Sequence, residues 1–133
     1  HEKNEWQSRN RIKNSHGDIY LTINRKREKG GELKSINQTE ISNDQQWRKK
    51  HIRSLQMAYS RAPFFKEVFP FIESLISAEY KYLADYNINI LTQIAKKIGI
   101  KTELVLASDL KGIGGTKDDL VVSICKFDFQ CKQ

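Results

Sequence analysis

His51 stands four residues after Trp47 and directly after Arg48-Lys49-Lys50, so one short stretch joins an imidazole, an indole and three cations. Imidazole exchanges a proton near neutrality, and a lysine or arginine beside it can meet a phosphate or carboxylate. The chemistry within reach is to hold an anion and move a proton next to it, with His51 as the candidate catalytic group and Trp47 and Lys50 as candidate binding groups. A plainer reading stands beside it, in which imidazole and indole fill an apolar helix face and the cations are solvated. Arg9 and Arg11 alternate along a second stretch and would present two guanidinium forks on one strand face. The alternative there is an exposed strand charged against edge-to-edge association. Asn87 falls on an otherwise apolar helix face and needs partners, either a local network or a ligand. Ser108 closes an apolar run next to Asp109, where a ligand crevice would lie if that run were a strand of an open sheet.

These residues need elements to position them. Trp47, His51, Leu55 and Tyr59 recur at i, i+4, which predicts a helix with Ile52 and Ala58 widening the apolar face and Arg48, Lys49 and Arg53 turned outward. Ser42 with Gln45, or Asn43 with Gln46, supplies the N-terminal cap, and Pro63 provides the stop. Upstream, residues 6–13 and 19–23 flank Asn14-Ser15-His16-Gly17-Asp18 and predict a β-hairpin, with Arg9 and Arg11 on one face of its first strand and Ile19, Leu21 and Ile23 sharing a face of its second. Arg25 to Gly31 reads as a polar surface loop, and Leu33 to Ile36 as a short strand.

Past Pro63, the aromatic stretch around Pro70 predicts a short helix on either side of that proline. Ala78 to Ile98 carries the longest helical period, ended by Gly99. Ile100 to Asp109 predicts a strand, giving the rhythm of an α/β unit with parallel pairing. The loop Leu110 to Gly115 lacks the order of a Walker A motif, but a glycine-rich loop before a helix can hold an anion. Thr116-Lys117-Asp118-Asp119 opens a last helix through Val121, Val122 and Cys125.

The 133 residues suffice for one domain with a core. Residues 1–53 hold 13 Lys/Arg against 7 Asp/Glu and residues 54–133 hold 10 against 9, so the positive charge is concentrated early. That field favours anionic partners. No run nears the ~18 apolar residues of a membrane span, and the N-terminus does not read as a signal peptide, so the expectation is a cytoplasmic protein without membrane insertion. Cys125 and Cys131 lack a histidine pair, which argues for reduced thiols and against a metal site. No cofactor is expected.

Several clusters occur together in order: Glu2-Lys3-Asn4-Glu5-Trp6-Gln7-Ser8-Arg9-Asn10-Arg11-Ile12, Leu21-Thr22-Ile23, Trp47-Arg48-Lys49-Lys50-His51, and Ala62-Pro63-Phe64-Phe65. Leu83-Ala84-Asp85-Tyr86-Asn87, Gly99-Ile100-Lys101-Thr102 and Ser108-Asp109-Leu110 follow. On these motifs the chain resembles the WbqC-like family almost throughout, to about Lys126. The resemblance implies a bacterial or archaeal protein of surface-polysaccharide or O-antigen biosynthesis that transfers glycine or another amino acid onto a sugar. It also marks departures, because the family's opening strand and His-Gln-Pro-x-Tyr-like loop and its Ser-Gly-containing closing segment have no counterpart here.

The expected fold is therefore α/β, a single Rossmann-like or partial α/β domain over 1–133, with an N-terminal β-hairpin and a central helical bundle, incomplete at both ends. The expected ligand is an anionic small molecule, a nucleotide sugar or an activated amino acid. Arg9, Arg11 and Lys50 would meet its charge, His51 would bind it or shuttle a proton, and Asn4, Trp6, Trp47, Asn87 and Ser108 would orient it. The alternatives are a basic nucleic-acid-binding module and a non-catalytic protein-interaction domain. The oligomeric state is not legible.

Overall fold

The computed structural model describes residues 6–26, 34–42, 44–116 and 118–127. They fall into two compact units, His1–Ile98 and Gly99–Gln133. The first opens with the predicted hairpin. Strand β1 (Arg9–Asn14) pairs antiparallel with β2 (Gly17–Thr22), with Arg11 opposite Tyr20 and Asn14 opposite Gly17. Ser15 and His16 form the two-residue turn, held by the His16 N–H donating to Asn14 Oδ1 at 2.8 Å. The first strand is shorter than its sequence pattern, because Trp6 to Ser8 form a turn and Trp6 is left 79% exposed.

Beyond β2 the chain pairs twice more through isolated bridges, Arg25 with Ile41 and Glu40 with Tyr82. The strand expected around Leu33 to Ile36 is not found. Leu33 lies outside the described residues, Lys34 and Ser35 are irregular, and Ile36–Gln38 is a 3-10 turn. Local bonds close that turn: the Thr39 hydroxyl donates to Ser35 O at 3.0 Å, and extended pairing starts only at Glu40. The loop predicted from Arg25 to Gly31 lies mostly outside the described residues.

Helix α1 (Gln45–Tyr59) begins later than predicted. Its cap is Asp44, whose Oδ1 accepts the Gln46 N–H at 2.8 Å, while Ser42 donates to the other carboxylate oxygen. A carboxylate outcompetes a hydroxyl here because it also meets the positive end of the helix dipole. Chiefly the Gln46 bond holds the Asp44 carboxyl below its ordinary range. Trp47 and His51 are buried and Leu55 half-buried, as the spacing predicts, whereas Tyr59 stays exposed.

Arg48 departs from the prediction. Expected in solvent, it is 1% exposed. Its position borders the Trp47 face, so when the segment entering the third helix passes beside it the guanidinium is enclosed. There Nη2 donates to Ala78 O at 3.3 Å, and Cζ lies 4.4 Å from the Trp47 ring centroid.

Helix α2 (Phe65–Ser77) is one continuous helix with Pro70 inside it, not two helices. Pro70 removes one hydrogen bond, to the carbonyl four residues back, at an exposed position where water can replace it. Phe65 and Phe69 stack at 4.5 Å across the turn before the proline. Helix α3 (Leu83–Lys97) starts at Leu83 instead of Ala78, because the Tyr82 bridge to Glu40 keeps the preceding residues extended. It ends where predicted, with Gly99 at φ +82° just past its cap.

Ile41, Trp47, Leu83 and Tyr86 form the core of this unit, with Ile23, Ile36, Tyr80 and Ile90 packed around them. Tyr86 is part of this core, whereas Leu91 and Ile98 of the same apolar-periodic stretch are exposed.

In the second unit the predicted strand is replaced by irregular chain and a 3-10 turn, Ala107–Asp109. Leu104, Val105 and Leu106 are exposed, and the only sheet among the described residues is the hairpin. The parallel pairing expected here therefore does not form: an apolar run makes a strand only where another edge can take its backbone groups. Helix α4 (Asp118–Phe127) is present as predicted. The architecture is α/β, a small antiparallel hairpin followed by four helices among the described residues.

Candidate functional site

The hairpin and the first two turns of α1 enclose a polar cleft of about 410 Å³. Tyr20 and Thr22 of β2 and Asn24 just beyond it form one wall. Gln46, Trp47, Lys50 and His51 form the other. The pairs 46/50 and 47/51 are each one helical turn apart, which aligns all four on the surface facing the hairpin.

His51 ties the walls together. Its Nε2 lies 3.1 Å from Thr22 O. A carbonyl only accepts, so neutral His51 carries its proton on Nε2 and its basic lone pair on Nδ1. Burial pushes the imidazole pKa below its ordinary value; the Thr22 bond opposes this, and the neighbouring Lys50 charge adds to it. The Trp47 ring meets His51 edge-on at 5.1 Å, and its Nε1–H donates to Ser42 O at 2.8 Å. Asn24 is oriented by a long contact from Nδ2 to Asp44 Oδ2 at 3.4 Å, which leaves its carbonyl oxygen to accept. Lys50 is exposed and supplies the cation of the α1 wall.

The two arginines share one face, as the alternation predicts, and the register, Arg9 opposite Thr22 and Arg11 opposite Tyr20, places Tyr20 and Thr22 on that same face. Arg9 lies over the Tyr20 ring with Cζ 3.4 Å from its centroid, and Arg11 is farther, at 5.9 Å. Arg11 is also paired with Asp18 at 3.1 Å. The remaining candidates lie elsewhere. Trp6 is in the turn before β1. Asn87 donates through Nδ2 to Gln7 O at 2.8 Å and joins α3 to the entry of the hairpin. Asn4 falls outside the described residues, and Ser108 is an exposed residue of the second unit whose hydroxyl donates to Asp109.

Sequence reasoning missed Tyr20, Thr22, Asn24 and Gln46 as site residues. Gln46 had a legible signal, standing one turn before Lys50 as Trp47 stands before His51. Asn24 had none, because its place depends on the Asp44 cap.

Two other features are less suited to chemistry. An apolar groove of about 280 Å³, between Leu55, Tyr59, Phe64, Phe65 and Val68, offers no polar group for catalysis. In the glycine-rich loop the Gly114 N–H donates to Ser123 Oγ at 3.1 Å, and Asp118 and Asp119 occupy the first turn of α4. Their carboxylates hold the place an anion would take at that helix end. Gly115, at φ +97°, approaches Asp119 so closely that a Cβ would stand 2.8 Å from its Cβ. Among the described residues no three His, Cys, Asp or Glu side chains gather in one place, and no helix is long and apolar enough to cross a membrane.

The His51 environment sets a pH dependence. Unfolded His51 binds a proton more readily than folded His51, so stability rises with pH between the lowered folded pKa and the ordinary value of 6.5. This contribution is complete above about pH 6.5 and is lost as the pH falls through the folded value. Urea midpoints measured from pH 7.5 to 5 should fall toward the acid end, and His51→Gln should flatten that part of the curve. Asp44 and Glu40, held low chiefly by the Gln46 and Lys26 bonds, act in the same direction at lower pH.

With the cleft described, comparison with known proteins gives its family. The uncharacterized protein Rv1507c of Mycobacterium tuberculosis is 30% identical over 125 residues, which cover 93% of this chain and 53% of that protein. The chain thus spans about half the length of this curated relative. No solved structure matches. The model of the WbqC-like protein family matches residues 1–128, nearly the whole chain, and the protein belongs to that family.

Proposed function

We propose that this chain is the substrate-binding portion of a WbqC-like enzyme of surface-polysaccharide biosynthesis, which transfers glycine or another amino acid from an activated donor onto a sugar. The observation that carries the reading is the single cleft in which Lys50, neutral His51 and the Arg9-backed ring of Tyr20 come together. Lys50 pairs with an anionic group of the nucleotide sugar or activated amino acid. His51 is a base ready at neutral pH, held in one tautomer by Thr22. In the transfer, a sugar amine or hydroxyl attacks the activated carbonyl. Its proton passes to His51 Nδ1, and the bond to the phosphate leaving group breaks with the electron pair on the phosphate. The compartment that supplies such substrates is the cytoplasm.

The test is a thermal-shift titration against nucleotide sugars, aminoacyl-adenylate analogues and a mixed-sequence oligonucleotide. One of the small ligands should raise the melting temperature. Lys50→Ala should weaken that ligand by about 10- to 100-fold, the effect of losing a charged hydrogen bond. Arg9→Ala, one layer behind Tyr20, should weaken it less. Equal affinity in Lys50→Ala would remove the cleft from consideration. A shift with the oligonucleotide alone that vanishes as salt rises would favour the nucleic-acid alternative.

A further inference from the structure

We infer that the group seated in this cleft is a single sugar ring bearing one carboxylate, a hexuronate, with no pyrophosphate inside; this rests on the cleft reading above and narrows it. Charge points this way. Among the described residues, Lys50 is the one cation lining the cleft, no carboxylate lines it, and His51 is neutral at pH 7. One ammonium matches one carboxylate, whereas the multiple charges of a phosphomonoester or a pyrophosphate would remain partly uncompensated in a partly desolvated site.

Among the described residues, the usual means of holding a phosphate chain are also missing from the cleft. Such chains rest on the free N–H groups of a helix N-terminus or on arginine forks. At the α1 N-terminus beside Gln46, the Asp44 carboxylate already accepts the Gln46 N–H, and it would repel a second anion. Arg11 is bound to Asp18, and Arg9 is spread on the Tyr20 ring outside the cleft lining.

The cleft also matches hydroxyls. Each sugar hydroxyl donates once and accepts as well, so it needs donors and acceptors side by side. Asn24 presents a carbonyl oxygen, Gln46 a complete amide, and Thr22 and Tyr20 hydroxyls that serve in either sense. The half-exposed Tyr20 ring adds an apolar surface for the C–H groups of a pyranose. At about 410 Å³ the cleft is at the small end of ligand sites and has room for a monosaccharide.

Titration of the ¹⁵N-labelled chain with glucuronate, glucose 6-phosphate, glucose, UDP and inorganic phosphate, followed by amide shifts, tests this. Glucuronate should bind about ten-fold more tightly than glucose or UDP, the increment of one charged contact, and should move the amides of Asn24, Gln46 and Lys50. Lys50→Gln should bring glucuronate down to the level of glucose. Gln46→Ala should weaken charged and neutral sugars alike, and Lys49→Gln, outside the cleft, should change neither. UDP, glucose 6-phosphate or phosphate binding through Lys50 as tightly as glucuronate would overturn the inference and leave the cleft reading intact. Shifts confined to residues outside the cleft, or no binding by any of the five, would overturn both.

Discussion

Trp47→Ala should lower the unfolding free energy by about 3–5 kcal/mol, the range for deleting a large buried aromatic side chain. Trp47 is 3% exposed and joins three parts of the first unit. Its ring meets His51 and, edge-on at 5.9 Å, Tyr86 of α3, and its Nε1–H is satisfied by Ser42 O. Alanine leaves a void among Ile41, Leu83 and Tyr86, together with a part-buried carbonyl that has lost its donor. Trp47→Phe separates the two effects, because it keeps most of the volume and gives up the hydrogen bond, and it should cost about 1–2 kcal/mol. Urea unfolding followed by circular dichroism checks both. If Trp47→Ala lost less than 1 kcal/mol, the core assignment would be wrong.

The second large effect is expected at Arg48. Arg48→Ala removes a side chain whose aliphatic stem and guanidinium are both enclosed, and it leaves Ala78 O without this donor. The expected loss is about 2–4 kcal/mol. Arg48→Met keeps much of the volume and drops the charge and its desolvation penalty, so it should fall between alanine and the native residue. The same urea series decides: methionine as damaging as alanine would mean the polar contacts dominate, and methionine equal to the native residue would mean packing alone does.

Much of the site was legible because it depends on short-range periodicity. The i, i+4 spacing of Trp47 and His51 and the alternation of Arg9, Arg11, Tyr20 and Thr22 each fix a face without knowledge of the tertiary fold. Failures occurred where a distant segment decided the local outcome. Arg48 was assigned to solvent from its charge, and only the segment around Ala78, thirty positions on, encloses it. The α3 start moved from Ala78 to Leu83 because Glu40 pairs with Tyr82. Residues 100–109 have a strand composition, but composition cannot supply a neighbouring edge. At Pro70 the general rule for proline gave too strong a break, since one lost bond at an exposed position is tolerated when the rest of the helix packs, as Leu75 and Ile76 do.

The hydrogen bond from Asn87 to Gln7 spans 80 positions in the chain. It sets an order of events during synthesis. The hairpin needs only local contacts and can form early, in microseconds, yet its entry segment cannot be fixed until α3 has left the ribosome. At about 5–20 residues per second that interval lasts several seconds. The Tyr20 and Thr22 face lacks its opposite wall only until α1 follows it out, and closing so long a loop as that from Gln7 to Asn87 makes the first unit fold more slowly than its helical content would imply.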